Sequence, residues 1–236
     1  MITLAALIVA LTGLGAIFAQ AQQSDPSPPK AENSPDNPAL RSSARTSATG
    51  TSVEPQINPQ ELERLTKAAD KVLNRIQGEE NDLYLRVSYF EKPERLNPNS
   101  YASKEELGQW QTLLQQLKEK HELVSQLYTN VGKDLETELR NAGGSEQIVA
   151  RFKKFIIDGF PWASIEKKRT LIADLADEEA KLLMFYEKNW GSWTSRADAN
   201  KPEFTSASAA NIYKRLRDQI LTTSEAIEKE YKEMSE

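Results

Sequence analysis

The sequence predicts an all-α protein: an elongated antiparallel four-helix bundle with one short extra helix, preceded by a disordered segment. Three observations carry that reading. From Asn58 onward, apolar residues recur at alternating three- and four-residue spacings, the signature of one helix face repeated over several turns. Proline and glycine fall between those stretches rather than inside them, and capping sequences stand where two of them begin. The chain has no cysteine, so no disulfide framework, thiolate metal site, c-type haem attachment or lipid-modified cysteine is available. Stability must come from packing.

The first stretch opens at Asn58-Pro59-Gln60-Glu61, an N-cap followed by proline at the first helical position and a glutamate in the first turn. It is expected to run over 59–91, with Leu62, Leu65, Ala69, Val72, Ile76, Glu79, Leu83, Arg86 or Val87, and Phe90 on its seam. Pro93 and Pro98 forbid helix through the next segment, "KPERLNPNSY". Ser103 to Glu106 forms a capping box that opens a helix over 104–141, with seam Leu107, Trp110, Leu114, Leu117, His121, Val124, Tyr128, Val131 and Leu135. Gly143 and Gly144 end it.

A short helix near 145–158 carries Ile148, Val149, Phe152, Phe155 and Ile156, and closes at Gly159 before Phe160-Pro161. A third long helix over 162–193 follows, with Trp162, Ile165, Ile172, Ala176, Glu179, Leu183, Tyr186 and Trp190 on one face. The loop "GSWTSRADANKPEFTS" leads to a last helix over 206–235, with Ala209, Tyr213, Leu216, Ile220, Thr223, Ile227 and Met234. Three-four seams of this length favour antiparallel packing at about 20°. The short helix cannot traverse such a bundle and is expected to cross its base, which places both long loops at the opposite end. A dimerising coiled coil is the competing architecture.

Ahead of the helices, Ile2 to Ala19 is uncharged and apolar, and Ala19-Gln20-Ala21 has the small-x-small form of a signal-peptidase site. Residues 1–21 therefore read as an export signal cleaved after Ala21, or as a retained membrane anchor through residues 2–19. No basic residue precedes the apolar run, which departs from the usual signal. Residues 22–58 hold more than half of the eleven prolines and few large apolar side chains, so they are expected to form a disordered linker. Residues 59–236 form the helical bundle domain. Formal charge is −5, and the part from Pro59 onward, with 27 basic and 31 acidic residues, is mildly acidic, which argues against nucleic acid as partner.

His121 is the only histidine, and it occupies a seam position where leucine is expected. A di-iron bundle needs two Glu-x-x-His pairs, whereas Lys118 stands three residues before it. Haem ligation would need Met184 or Met234 level with it, and a catalytic histidine would need a carboxylate one turn away, where Leu117, Lys118, Val124 and Ser125 stand. Height along the helices puts Glu79, Glu179 and Thr223 near its level. The four form a polar layer that fixes helix register or, in the rival reading, the ligands of a divalent metal.

The loops and their flanks hold Tyr89, Phe90, Tyr101, Trp190, Trp193 and Phe204. Gathered at one end, these aromatics are either a docking surface or a plug for the bundle. The basic runs "RFKKF", "EKKR" and "YKRLR" read as solvated helix faces, with an anionic partner such as lipid headgroups as the alternative. No phosphate loop, nucleophile elbow or internal repeat is present. The functional expectation is a non-enzymatic, extracytoplasmic interaction or scaffold protein of a bacterial envelope, periplasmic, secreted or membrane-anchored. Its expected partner is an envelope protein or cell-wall component, it needs no cofactor, and oligomerisation is compatible with its seams. A small-ligand or metal-binding bundle centred on His121 is the alternative function.

Overall fold

A computed structural model describes residues 57–195 and 202–233. The chain is all-α, with five helices and one two-stranded ribbon among the described residues. The expected signal or anchor over 1–21 and most of the expected linker over 22–58 lie outside the described residues, as does Met234.

Helix α1 (Pro59–Phe90) begins where its cap predicts: the Asn58 side chain accepts the Glu61 amide at 2.8 Å. Its buried face is Leu65, Ala69, Val72, Leu73, Ile76, Leu83, Val87 and Phe90, so Val87 rather than Arg86 takes the seam. Two 3-10 turns (Pro93–Leu96 and Pro98–Ser100) then cross to helix α2 (Lys104–Asn141). The N-cap half of the capping box forms as read, with Ser103 Oγ accepting the Glu106 amide at 3.2 Å, while the Glu106 carboxylate accepts the amide of Ala102, one residue before the cap, at 2.7 Å.

At the base the chain turns at Gly143, whose φ of 84° is in the left-handed region that glycine favours. Gly144 has a different reason. A β-carbon there would stand 2.8 Å from Val149 Cγ2, 3.0 Å from Leu65 Cδ2 and 3.1 Å from the Leu139 carbonyl oxygen. The first helix, the end of α2 and the next helix therefore converge on a bare backbone.

Helix α3 (Glu146–Asp158) does not cross the base. Arg140 pairs with Glu146 at 3.5 Å and Glu136 with Lys153 at 2.6 Å, and the Phe160 ring then packs edge-on to Tyr128 at 6.0 Å. Each step forward in α3 meets a step backward in α2, so α3 runs antiparallel beside the last turns of α2. Gly159, Phe160 and Pro161 interrupt this run without reversing it, and helix α4 (Trp162–Lys188) carries on along α2. Lys118 meets Asp177 at 2.6 Å and Gln111 meets Glu187 at 3.0 Å further along. Thus α3 and α4 together run the length of α2, about 57 Å at 1.5 Å per residue.

α4 stops at Lys188, short of the expected 193, because Gly191 takes a φ of 80° and the chain enters a strand. Strands β1 (Trp193–Ser195) and β2 (Pro202–Phe204) pair antiparallel, with Trp193 opposite Phe204. Helix α5 (Ala207–Glu233) returns along α4, with the Ser164 hydroxyl donating to Glu230 at 2.8 Å, and its far end reaches α1, where Tyr231 meets Tyr84 ring to ring at 4.7 Å. The four long helices alternate in direction, with α2 and α4 sharing the centre.

Candidate functional site

The expected aromatic end does assemble. Phe90 and Tyr101 each pack edge-on against Trp110, Tyr101 meets Tyr186 at 5.7 Å, and Tyr186 continues to Trp193 at 6.1 Å. Trp190 contacts Trp193 at 5.3 Å, Phe204 contacts Trp193 at 6.0 Å, and Phe204 also contacts Tyr213 at 5.1 Å. The phenols are tied down as well. Tyr186 and Tyr213 both donate to the Leu96 carbonyl at 2.8 Å, and Tyr101 donates to the Arg95 carbonyl at 3.1 Å.

Phe90 and Tyr101 are buried, Trp190, Trp193 and Phe204 are half-buried, and Tyr89 is exposed beneath the Lys92 ammonium. Most of the area these rings could offer a partner is already spent on one another. The cluster pins the segment 91–103 onto α4 and α5, as a plug does.

The four polar residues placed at one height on the seams do not meet. His121 is half-buried and its Nε2–H donates to the Arg169 carbonyl at 3.0 Å, while Arg169 Nε donates to Ser125 Oγ at 3.0 Å. Burial pulls the His121 pKa below its ordinary 6.5, and the carbonyl bond acts against that shift. Glu79 instead turns outward to Lys120 at 2.6 Å, and Lys120 also binds Asp82 at 2.7 Å. Thr223 lines an outer concavity between α4 and α5. Among the described residues, no group of three or more histidine or acidic side chains is arranged to hold a metal ion.

Glu179 is different. It is 0% exposed, and neither carboxylate oxygen has a hydrogen-bond partner among the described residues. Burial, with the neighbouring Glu178 charge second, raises its pKa from the ordinary 4.5 to about 8. Its charge would bear on the phenols of Tyr101 and Tyr186, which places it under the aromatic plug. At neutral pH it is a protonated acid in an apolar core.

A second polar cluster was not anticipated. Lys168 is 6% exposed, with its ammonium 5.6 Å from the Tyr84 ring centre and 5.9 Å from that of Tyr231. Burial lowers its pKa, and the Glu80 and Glu230 carboxylates oppose that shift. Glu230 is itself buried, held below the usual carboxylate range first by its ion pair with Lys167, and it accepts the Ser164 hydroxyl.

Ser164-Ile165-Glu166-Lys167 has the spacing of a serine–lysine nucleophile pair, and here the serine hydroxyl donates to the Glu230 carboxylate while Lys167 pairs with that same carboxylate. The signal for Lys168 was in the spacing: it stands three residues after Ile165 and four before Ile172, squarely on the α4 seam. Its place in the run "EKKR" had read as a solvated face.

The remaining feature is a groove on the outside of α4 and α5. It encloses about 550 Å³ between Lys181, Met184 and Lys188 on one helix and Ile212 and Arg215 on the other, over a floor of Phe185 and Leu216. Met184 is 64% exposed and Ile212 39%. A second concavity of about 520 Å³ shares Arg215 and continues along the two helices past Lys214 and Glu178 to Asp218 and Thr222. No helix among the described residues is long and apolar enough to cross a membrane. No protein-family model, curated protein or solved structure matches the chain.

Proposed function

We propose that this chain is a non-enzymatic interaction or scaffold module of a bacterial envelope, positioned outside the cytoplasm by its N-terminal segment and working through the α4–α5 face. The observation that carries the reading is the groove. Leu85, Tyr89, Phe155 and Trp162 are exposed as well, but Met184 and Ile212 line one groove together over an apolar floor of Phe185 and Leu216. Exposed apolar area of that kind, rimmed by charge, is what a folded chain keeps for a partner. The aromatic end supports the same reading indirectly: with its rings packed on one another, it serves as a rigid cap, and docking falls to the flank.

The test is site-specific photo-crosslinking in the native envelope fraction. A crosslinker at Ile212 is expected to give a discrete adduct, and one at Gln115, exposed on α2, to give none. Adducts from both positions, or from neither, would overturn the assignment of this face. The intact mass of the recovered protein separates cleavage after Ala21 from a retained anchor, since the two differ by the whole apolar run.

A further inference from the structure

We infer that the partner held by the α4–α5 groove is an acidic amphipathic helix of another protein. The inference rests on the interaction reading above and adds the chemistry of what is bound.

The first support is charge. Lys181, Lys188, Lys214 and Arg215 surround the two concavities, and none of the four is in an ion pair within 4.0 Å among the described residues. Lys181 feels Asp177 one turn away at longer range. Lysines such as Lys67, Lys71, Lys118 and Lys120 are matched to carboxylates at 2.6 to 3.0 Å and, among the described residues, Lys104 and Lys133 are not, so what distinguishes the groove is that four such cations stand around one apolar floor. On a chain of net charge −5, a rim of unmatched cations around an apolar floor is complementary to an apolar ridge flanked by carboxylates. The one acid on the upper rim, Glu187, already accepts the Gln111 amide.

The second support is shape. From Glu178 to Lys188 and from Asn211 to Thr223 the trough spans about 15 to 18 Å of helix, room for roughly three turns of a helix laid along it. Methionine suits such a floor, because its unbranched thioether adapts to whichever side chains arrive. An anionic bilayer fits the trough less well. A membrane surface needs apolar tips standing clear of the charges, whereas the lower concavity carries Glu178 and Asp218, which lipid phosphates would repel. A peptide helix can present acids to the upper half and polar groups to the lower.

The experiment uses the full chain and a fluorescent model peptide of about three heptads, with leucine on one face and glutamate on both flanks. Its controls are the same peptide with lysine for glutamate and vesicles of phosphatidylglycerol and phosphatidylcholine. The acidic peptide is expected to bind at least about tenfold more tightly than the basic one, and to weaken about tenfold from about 0.05 to about 0.5 M salt. The double change Lys188→Glu and Arg215→Glu should reverse the preference between the two peptides. Met184→Gln with Ile212→Gln should weaken both, and Met184→Gln alone, at a side chain 64% exposed, should do so with little change in melting temperature. Equal binding of the two peptides, or no peptide binding, overturns the inference. If the vesicles bind instead, and Ile212 still crosslinks, the partner class is wrong while the interaction face stands. If Ile212 gives no adduct, the functional reading itself fails.

Discussion

Replacing Glu179 by leucine should make the protein more stable, and increasingly so as pH rises. The carboxyl is fully buried without a hydrogen-bond partner among the described residues, and its pKa moves from an ordinary 4.5 to about 8 on folding. Because the folded value is the higher one, the unfolded chain gives up this proton first. Stability from the protonated acid is therefore complete below about pH 4.5 and is lost progressively as pH rises towards 8, levelling off above that. At 1.36 kcal/mol per unit, the loss is about 3 kcal/mol by pH 7 and about 4 kcal/mol by pH 8, approaching about 5 kcal/mol above that. That is a large share of the 5 to 15 kcal/mol, or thereabouts, that a domain has.

Urea melts of the wild type and Glu179→Leu at several pH values from about 4.5 to about 8.5, at constant ionic strength, measure it. Their difference cancels every other titrating group and should grow by several kcal/mol across that range. Glu179→Gln should show the same pH-flat behaviour but remain less stable than the leucine variant, because its amide is still buried among apolar groups. A wild-type minus leucine difference that is the same at both ends of the range refutes the reasoning. So does a leucine variant destabilised by several kcal/mol, since the carboxyl would then have a partner in the folded state.

Two further substitutions test the rest of the core. His121→Leu should be neutral or stabilising at pH 7. With a folded pKa below 6.5, the unfolded chain binds the extra proton and the wild type loses stability as pH falls through that value, so the variant should flatten the melting-temperature profile between about pH 5 and 7. A loss of several kcal/mol would mark the histidine as a network member or ligand. Tyr186→Phe with Tyr213→Phe removes both donors to the Leu96 carbonyl and should cost about 2 kcal/mol together, with faster amide exchange over residues 93–100. Unchanged exchange there would show that ring packing alone holds the plug.

The parts of the fold that were legible are those fixed by neighbours in sequence. Asn58 with Glu61, and Ser103 with Glu106, each complete a helix start within four residues, so both starts were placed to the residue. The misplaced end of α4 depends on something remote. Trp190 follows Tyr186 at the four-residue spacing and extends the period, but the chain has already left the helix to pair Trp193 with Phe204. The direction of α3 was equally out of reach. Gly159 to Pro161 announces a break but not its angle, and the pairs that set the direction, such as Lys153 with Glu136, join two helices.

The polar seam residues show why the candidate site resisted prediction. A three-four pattern assigns a residue to a face, but depth depends on how many helices flank that face. α4 packs against both α2 and α5, so Lys168 and Glu179 on its seam are sealed off from water. Their fates then differ by length: the lysine stem carries its ammonium out between two tyrosine rings, whereas the short glutamate reaches no hydrogen-bond partner among the described residues and keeps its proton. Glu79 lies between α1 and α2 at an open edge, where Lys120 is within reach. α5 is an edge helix, packed mainly on α4, and Ile212 falls on the flank its neighbour does not cover. The same one-sided packing that leaves α5 at the edge of the molecule therefore creates the groove, and keeps the run "YKRLR" beside an apolar floor instead of on an isolated solvated face.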